Sequence, residues 1–172
     1  MSWSDPAGAR VALPRGARLG VDVGKARVGL AACDPDGLVA TPVATVPRVL
    51  DATGAGSADV RRIADEARER SAAVVYVGLP RHLSGAEGAA TVDARAFAMR
   101  LAVAVAPVPV RMVDERMSTV TATSQLRAAG RTSKSHRPVI DQAAAVIILQ
   151  SALDAERSAG ARAGELVEPP PT

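Results

Sequence analysis

Residues 18–31 read "RLGVDVGKARVGLA" and predict a β-hairpin with a carboxylate on one face of its first strand. The apolar residues of that strand alternate onto one face, which leaves Asp22 on the other face between Gly20 and Gly24. Strands are depleted in Asp, and a buried carboxylate is rare unless it is paired or binds a metal. Asp22 is therefore a candidate functional residue, and the two glycines leave space beside it.

The chain continues from this hairpin into a third strand. The "DPDG" sequence at residues 34–37 predicts a tight turn, because Pro presets φ and Gly accepts a positive φ. The next apolar segment contains Pro42, which cannot donate to a strand ladder and so belongs at a sheet edge. The sequence thus opens with an antiparallel meander whose strands cover about 18–23, 27–33 and 38–46.

The remaining sequence alternates helical and strand patterns. A continuous apolar run, "AAVVYVGLP" at residues 72–80, is typical of a strand buried on both faces. We expect one further strand at 108–115, and helices at 57–70, 89–105, 118–129 and 139–158. This order predicts an α/β fold with a mixed five-stranded sheet, strand order 3-2-1-4-5, and helices on both faces. A Rossmann-type sheet fits less well, because the first glycines lead into a strand and not into a helix.

Length and composition indicate one domain with an aliphatic core. The 172 residues are 48% hydrophobic and only 2% aromatic, so Val, Leu, Ile and Ala must build the core. We expect a flexible arm at residues 1–17, a folded domain at 18–158 and a disordered tail at 159–172. The single cysteine, Cys33, excludes an intramolecular disulfide and is interpreted as a small buried or edge residue. No membrane span or signal peptide is predicted, which favours the cytoplasm.

Positive charge is concentrated in one segment. The net charge is only +3, but residues 111–137 hold six basic residues against two acidic ones. This pattern indicates a polyanionic partner, and the alternative is a solvated basic loop. The basic residues of the segment are Arg111, Arg116, Arg127, Arg131, Lys134 and Arg137.

Carboxylates mark the end of the predicted sheet where parallel strands finish. Asp114 and Glu115 end the fifth strand, and Asp141 is the only charge in the apolar helix sequence "VIDQAAAVIIL". Because open α/β sheets build sites at these strand ends, the acids that end the fifth strand and Asp141 could all meet Asp22. Carboxylates around one cleft repel each other unless cations lie between them, and hard oxygen ligands favour Mg²⁺ or Mn²⁺. Taken singly, each acid has a structural alternative, such as a favourable helix-dipole position for Asp141.

A glycine-containing loop, "VGLPRHLSGAEG" at residues 77–88, leads from the fourth strand into a helix. Helix N-termini bind phosphate through free N–H groups, but this loop is not a Walker A motif. We interpret it as an ordinary connecting loop, with phosphate binding as the alternative.

Four stretches together resemble the YqgF/RuvX family of Holliday junction resolvases or pre-16S ribosomal RNA nucleases. They are "LGVDVGKARVGLA", "VGLPRHLSGAEG", "VDERMST" and "IDQAAAVIILQ", and they occur in the family's order across about residues 18–157. The resemblance implies an RNase H-like fold and Mg²⁺ or Mn²⁺ as cofactor. It implies Asp22, Glu115 and Asp141 as catalytic residues and metal ligands, with Asp114 as a fourth metal ligand. Candidate nucleic-acid contacts are Lys25, Arg27, Arg81, His82, Arg116, Arg131, Lys134 and Arg137.

The implied function is hydrolysis of phosphodiester bonds in structured nucleic acid, either an rRNA precursor or a four-way DNA junction. A two-fold homodimer suits the paired cuts of junction resolution, whereas a monomer suffices for RNA trimming. Two alternatives remain open at this point: a non-catalytic nucleic-acid-binding module, and an actin-like phosphate-binding enzyme. The actin-like class shares an Asp-x-Gly hairpin but needs a second lobe for which the chain is short.

The basic segment "RAAGRTSKSHRP", residues 127–138, generates a first prediction. We expect it to be flexible in the free protein and to order on nucleic acid through phosphate contacts. Replacing Arg131, Lys134 and Arg137 together with Ala should weaken binding and flatten the plot of log K against log salt. The slope should fall by about 0.7–0.9 for each phosphate that no longer has a basic partner. An unchanged slope in binding titrations at several salt concentrations would instead favour a solvated linker.

Overall fold

A mixed six-stranded sheet forms the centre of the fold in the computed structural model, which describes residues 13–50, 56–81, 84–115 and 137–171. The strands are β1 (Arg18–Val23), β2 (Arg27–Cys33), β3 (Ala40–Pro47), β4 (Val74–Leu79), β5 (Val110–Asp114) and β6 (Glu165–Leu166). The helices within the described ranges are α1 (Ala58–Glu69), α2 (Ala89–Val105) and α3 (Arg137–Ala159). The helix predicted at residues 118–129 lies outside the described residues.

The strand order is β3-β2-β1-β4-β5-β6, which confirms the predicted 3-2-1-4-5 arrangement and adds one strand. β1 pairs with β2, and β2 with β3, in antiparallel fashion, whereas β1–β4 and β4–β5 are parallel. β3 is outermost, as Pro42 predicts, and its pairing with β2 shifts register between Leu30 and Ala31. The carboxyl ends of β1, β4 and β5 therefore lie at the same end of the sheet.

The sixth strand lies in the segment expected from the sequence to be a disordered tail. β6 pairs antiparallel with β5, and the N–H of Val167 donates to the carbonyl of Val110 at 2.9 Å. The Arg111 guanidinium binds the two residues that precede this strand, donating to the carbonyls of Ala163 at 2.6 Å and Gly164 at 2.8 Å. A two-residue strand held by one arginine gives no periodic pattern, so sequence patterns predict five strands where the structure has six.

The two faces of the sheet carry two separate cores. The alternation in β1 directs Leu19 and Val21 toward the face covered by α1 and α2, where both are fully buried. α1 contributes the predicted stripe of Val60, Ile63 and Ala67 to this core. The second core, which lies between the opposite face and α3, contains Ala31, Cys33, Val74, Tyr76, Val113, Ala145, Leu149 and Leu153. Helices thus cover both faces, in agreement with the predicted fold class.

Cys33 belongs to the second core, which confirms its interpretation as a small buried residue. Its Sγ accepts a hydrogen bond from the backbone N–H of Arg18 at 3.3 Å. Burial raises the pKa of the Cys33 thiol, so the reactive thiolate is disfavoured.

Glycines allow α3 to approach the sheet at backbone distance. A Cβ atom added at Gly20 would lie 2.7 Å from the Cβ of Leu149 and 2.8 Å from the carbonyl oxygen of Ala145. A Cβ atom at Gly29 would lie 2.0 Å from the carbonyl oxygen of Asp141. No side chain fits at either position, so these two glycines of β1 and β2 determine where α3 can lie.

A buried polar cluster fixes the other end of α3. Glu156 accepts hydrogen bonds from Arg18 at 3.2 Å, from Arg162 at 2.9 Å and from the Tyr76 hydroxyl. Arg18 and Glu156 are each only 5% exposed, so this charge pair is removed from solvent. Burial, together with the Glu156 hydrogen bond, raises the pKa of Tyr76 above its usual range, which keeps the hydroxyl a donor. The cluster therefore joins β1, β4 and the C-terminal segment to α3.

None of the helices in the described ranges is both long and apolar enough to cross a membrane.

The close approach at Gly29 generates a stability prediction. Gly29→Ala should lower the free energy of unfolding by about 1–3 kcal/mol, because the new methyl group meets a helix carbonyl that cannot move independently. The matched control is Gly56→Ala, where an added Cβ meets no atom of the described residues within 4 Å. That variant should stay within about 0.5 kcal/mol of the parent. Urea unfolding of both variants measures the difference, and equal stabilities would contradict close packing of α3 on β2.

Candidate active site

Asp22 lies near the carboxyl end of β1, on the face covered by α3. Its antiparallel partner in β2 is Gly29. In the parallel pairing with β4 the last pair is Val21 with Val77, so the next residue along each strand is Asp22 and Gly78. The half-buried Asp22 thus has a glycine on each neighbouring strand.

Glu115 directly follows β5 and lies over one of these glycines. A Cβ atom added at Gly78 would lie 2.6 Å from the Oε1 of Glu115 and 2.5 Å from the Cδ1 of Ile148 in α3. The Glu115 carboxylate therefore occupies the space above β4, on the same face of the sheet as Asp22 and α3. Any side chain at Gly78 would displace this carboxylate.

Asp141 approaches Asp22 from the opposite side. It lies in the N-terminal part of α3, where its backbone carbonyl packs onto Gly29. Its carboxylate is paired with Arg27, the first residue of β2, at 2.9 Å from Nε to Oδ2. Both side chains remain partly exposed, at 34% for Arg27 and 23% for Asp141. Asp141 is thus placed by helix packing and oriented by a salt bridge.

The structure brings the three sequence-predicted acids to one end and one face of the sheet. Gly29 and Gly78 flank Asp22, and the missing side chains let the Asp141 carbonyl and the Glu115 carboxylate lie directly over the neighbouring strands. Carboxylate oxygens are the ligands that Mg²⁺ and Mn²⁺ prefer, so this donor set fits a hard divalent cation. Within the described ranges, however, no three His, Cys, Asp or Glu residues are close enough together to hold a metal ion.

Asp114 is placed differently from the other acids. It pairs with Leu79 in the β4–β5 register, and alternation along β5 directs it away from the face of Val113 and Glu115. It contributes to the lining of a cavity of about 430 Å³ beside β5, together with Arg81. Its assignment as a fourth metal ligand stays a prediction.

The predicted nucleic-acid contacts are only partly described. Lys25 and Arg27 line a cleft of about 290 Å³ together with Asp141, so two basic residues adjoin the carboxylate site. Arg81 follows β4, and its Nη2 lies 3.7 Å from the Oε1 of Glu87. The Nε of Arg81 is buried and has no hydrogen-bond partner in the described part of the chain. His82, Arg116, Arg131 and Lys134 lie outside the described residues, and Arg137 is described only as the first residue of α3.

Sequence reasoning missed two contributors to the site. It placed Gly78 at the end of the fourth strand, as observed, but did not predict that this glycine lies beneath the Glu115 carboxylate. It also did not single out Arg48, whose guanidinium donates to the Gly24 carbonyl in the β1–β2 turn at 3.1 Å. A lone arginine after a strand carries no pattern, so only the three-dimensional contacts reveal it.

Comparisons with known proteins show the family of the chain. The family model for RuvX, described as Holliday junction resolvase, matches residues 16–155. A relative from Clavibacter michiganensis subsp. michiganensis is 60% identical over 152 residues, which cover 88% of this chain and 91% of that protein. A relative from Streptomyces avermitilis is 57% identical over 154 residues, which cover 90% of this chain and 96% of that protein. Both carry the name "Putative pre-16S rRNA nuclease".

Among solved structures, Thermus thermophilus RuvC in complex with a Holliday junction substrate matches with a TM-score of 0.59 at 16% identity. The match covers 86% of this chain and 98% of the RuvC chain, and at this identity it shows a shared fold. With a family model that spans most of the chain and relatives at up to 60% identity, the chain belongs to the RuvX family of Holliday junction resolvase-like nucleases.

Proposed function

We propose that the protein hydrolyses phosphodiester bonds of structured nucleic acid in a divalent-metal-dependent reaction at Asp22, Glu115 and Asp141. The observation that carries this proposal is the packing around Asp22. The Glu115 carboxylate lies over Gly78, and the Asp141 backbone lies over Gly29. Three acids distant in sequence therefore lie at one end and on one face of the sheet, and a bound cation would have to draw their carboxylates closer together.

The three carboxylates are the proposed ligands of Mg²⁺ or Mn²⁺. When bound, such an ion lowers the pKa of a water molecule and stabilises the leaving oxygen of a phosphodiester. The protein's own contribution is to place the carboxylates at the ends of β1 and β5 and on α3, and metal binding requires these side chains to move closer together.

Lys25 and Arg27 are the proposed contacts to the substrate backbone. They line the cleft that also contains Asp141, so a phosphate bound there would lie beside the carboxylates. Arg27 already pairs with Asp141, and a guanidinium can engage a carboxylate and a phosphate with different N–H groups. Such phosphate contacts position a nucleic acid without reading its sequence.

Both substrate classes have support from the comparisons. The relatives named for pre-16S rRNA favour an rRNA precursor, which would place the activity in the cytoplasm. The RuvX family description and the junction-bound RuvC neighbour favour a four-way DNA junction, with a part in DNA recombination. Junction resolution needs two active sites, so that alternative also requires a homodimer.

The proposed carboxylates can be tested by changes that keep their shape and remove their charge. Asp22→Asn, Glu115→Gln and Asp141→Asn should each reduce kcat/KM for cleavage by at least about 100-fold, because metal stabilisation of the transition state is lost. Thermal unfolding should be nearly unchanged. Calorimetric titration with Mn²⁺ should show weakened binding in the same three variants.

Asp154→Asn is the matched control for these variants. Asp154 lies on the same helix as Asp141, but it is exposed and paired with Arg157 at 3.0 Å. This variant should cleave and bind Mn²⁺ like the parent. Wild-type cleavage in all three carboxylate variants would show that the catalytic residues lie elsewhere.

Cleavage assays on an rRNA precursor and on a four-way junction, run side by side, separate the two substrates. The oligomeric state is measured by light scattering at the assay concentration. A strict monomer that cleaves only the RNA is expected if rRNA processing is the function. A dimer that makes paired cuts in the junction would support resolution instead.

A further inference from the structure

A buried arginine connects the second helix to the turn beside the active site. Arg48 directly follows β3, and its side chain is only 3% exposed. Both of its terminal nitrogens contact the Asp93 carboxylate in α2, Nη2 at 3.0 Å from Oδ1 and Nη1 on Oδ2. The guanidinium also lies over the Phe97 ring, 5.4 Å from its centre. Two residues of α2 thus fix the position of this cation.

The same arginine donates two hydrogen bonds to the β1–β2 turn, residues 24–27. Its Nη1 donates to the Gly24 carbonyl at 3.1 Å, and its backbone N–H donates to the Ala26 carbonyl at 3.0 Å. Within the turn, the N–H of Gly24 donates to the carbonyl of Arg27 at 2.9 Å. Arg48 therefore holds the turn from both of its sides.

Because the Arg48 guanidinium is buried, its charge needs compensating interactions. A charge removed from solvent is retained only where ion pairing and hydrogen bonds compensate for the missing hydration. The Nε of Arg48 has no hydrogen-bond partner in the described part of the chain, so its compensation comes from Asp93, Gly24 and the ring of Phe97. An arginine needed only for solubility would lie at the surface.

We propose that Arg48 is a positioning residue for substrate binding, anchored on Asp93 and Phe97. It fixes the β1–β2 turn so that Lys25 and Arg27 face the phosphate backbone at the mouth of the cleft. The effect on substrate binding rests on the proposed function, whereas the fixing of the turn by Arg48 concerns the free protein alone. Because Arg48 acts through the turn, its removal should affect substrate binding more than the chemical step.

Arg48→Met removes the charge and keeps much of the side-chain volume. In the free protein, hydrogen–deuterium exchange of the turn amides should accelerate by about tenfold or more, because the side-chain hydrogen bond to Gly24 is lost and only the backbone bond to Ala26 remains. With nucleic acid, KM should rise by about tenfold while kcat stays within about twofold, since Asp22 and Glu115 lie outside the turn and Asp141, although paired with Arg27, is placed by the packing of α3 on Gly29. Arg48→Lys should restore part of the effect, because an ammonium can still donate to the Gly24 carbonyl.

Arg100→Met is the matched control. Arg100 also lies over the Phe97 ring, 5.3 Å from its centre. Its Nη1 donates to the Ser57 hydroxyl at 3.5 Å, whereas Arg48 donates to the turn. The Arg100→Met variant should leave the hydrogen–deuterium exchange of the turn amides and KM unchanged. If Arg48→Met fails to fold, Asp93→Asn removes the anchoring charge and leaves Arg48 in place. That variant should show a smaller change in turn exchange and KM in the same direction.

Turn exchange in Arg48→Met, or in Asp93→Asn, equal to that in Arg100→Met would overturn the inference. Faster turn exchange with unchanged KM would overturn it as well, because the turn would then not position substrate contacts. Failure of the wild-type chain to bind or cleave nucleic acid would contradict the proposed function instead. In that case the exchange comparison alone decides whether Arg48 holds the turn.

Discussion

The contact between the α3 backbone and the glycines of β1 and β2 is the constraint on which the site depends. At Gly29 the helix carbonyl of Asp141 occupies the volume of a missing side chain, and at Gly20 the backbone and Cβ of α3 do the same. Because Asp22 pairs with Gly29, this approach places the N-terminal part of α3 beside the first-strand carboxylate. Side chains at either glycine would move the helix, and Asp141 with it.

Two kinds of interaction hold α3 in this position. Near its N-terminus, Asp141 pairs with Arg27, and the Gln142 side chain donates to the Thr45 hydroxyl at 3.1 Å. Toward its C-terminus, the buried carboxylate of Glu156 joins β1, β4 and the C-terminal segment. The buried polar cluster around Glu156 fixes the orientation of α3 in addition to the hydrophobic packing, since a buried charge requires its partners in fixed geometry. The functional end and the structural end of the helix are thereby separate.

Much of the fold follows from local sequence patterns, and the rest depends on contacts that no local pattern encodes. Period-two alternation in β1, the edge position of Pro42 and the apolar run of β4 predict the order of the five main strands. Topology then explains why Asp22, Glu115 and Asp141 lie at the same end. The role of Gly78 depends on a carboxylate contributed by another strand, and that of Arg48 on a helix partner 45 residues away. β6 is two residues long and is held by Arg111, so hydrophobic periodicity does not reveal it.

The central claim is that Asp22, Glu115 and Asp141 form one metal site on the α3 face of the sheet. Anomalous diffraction from crystals of the full chain grown with Mn²⁺ tests it most directly. We predict an anomalous peak in contact with the carboxylate oxygens of Asp22 and of at least one of the other two acids. A peak coordinated only by other residues, or no peak at saturating Mn²⁺, would contradict this claim.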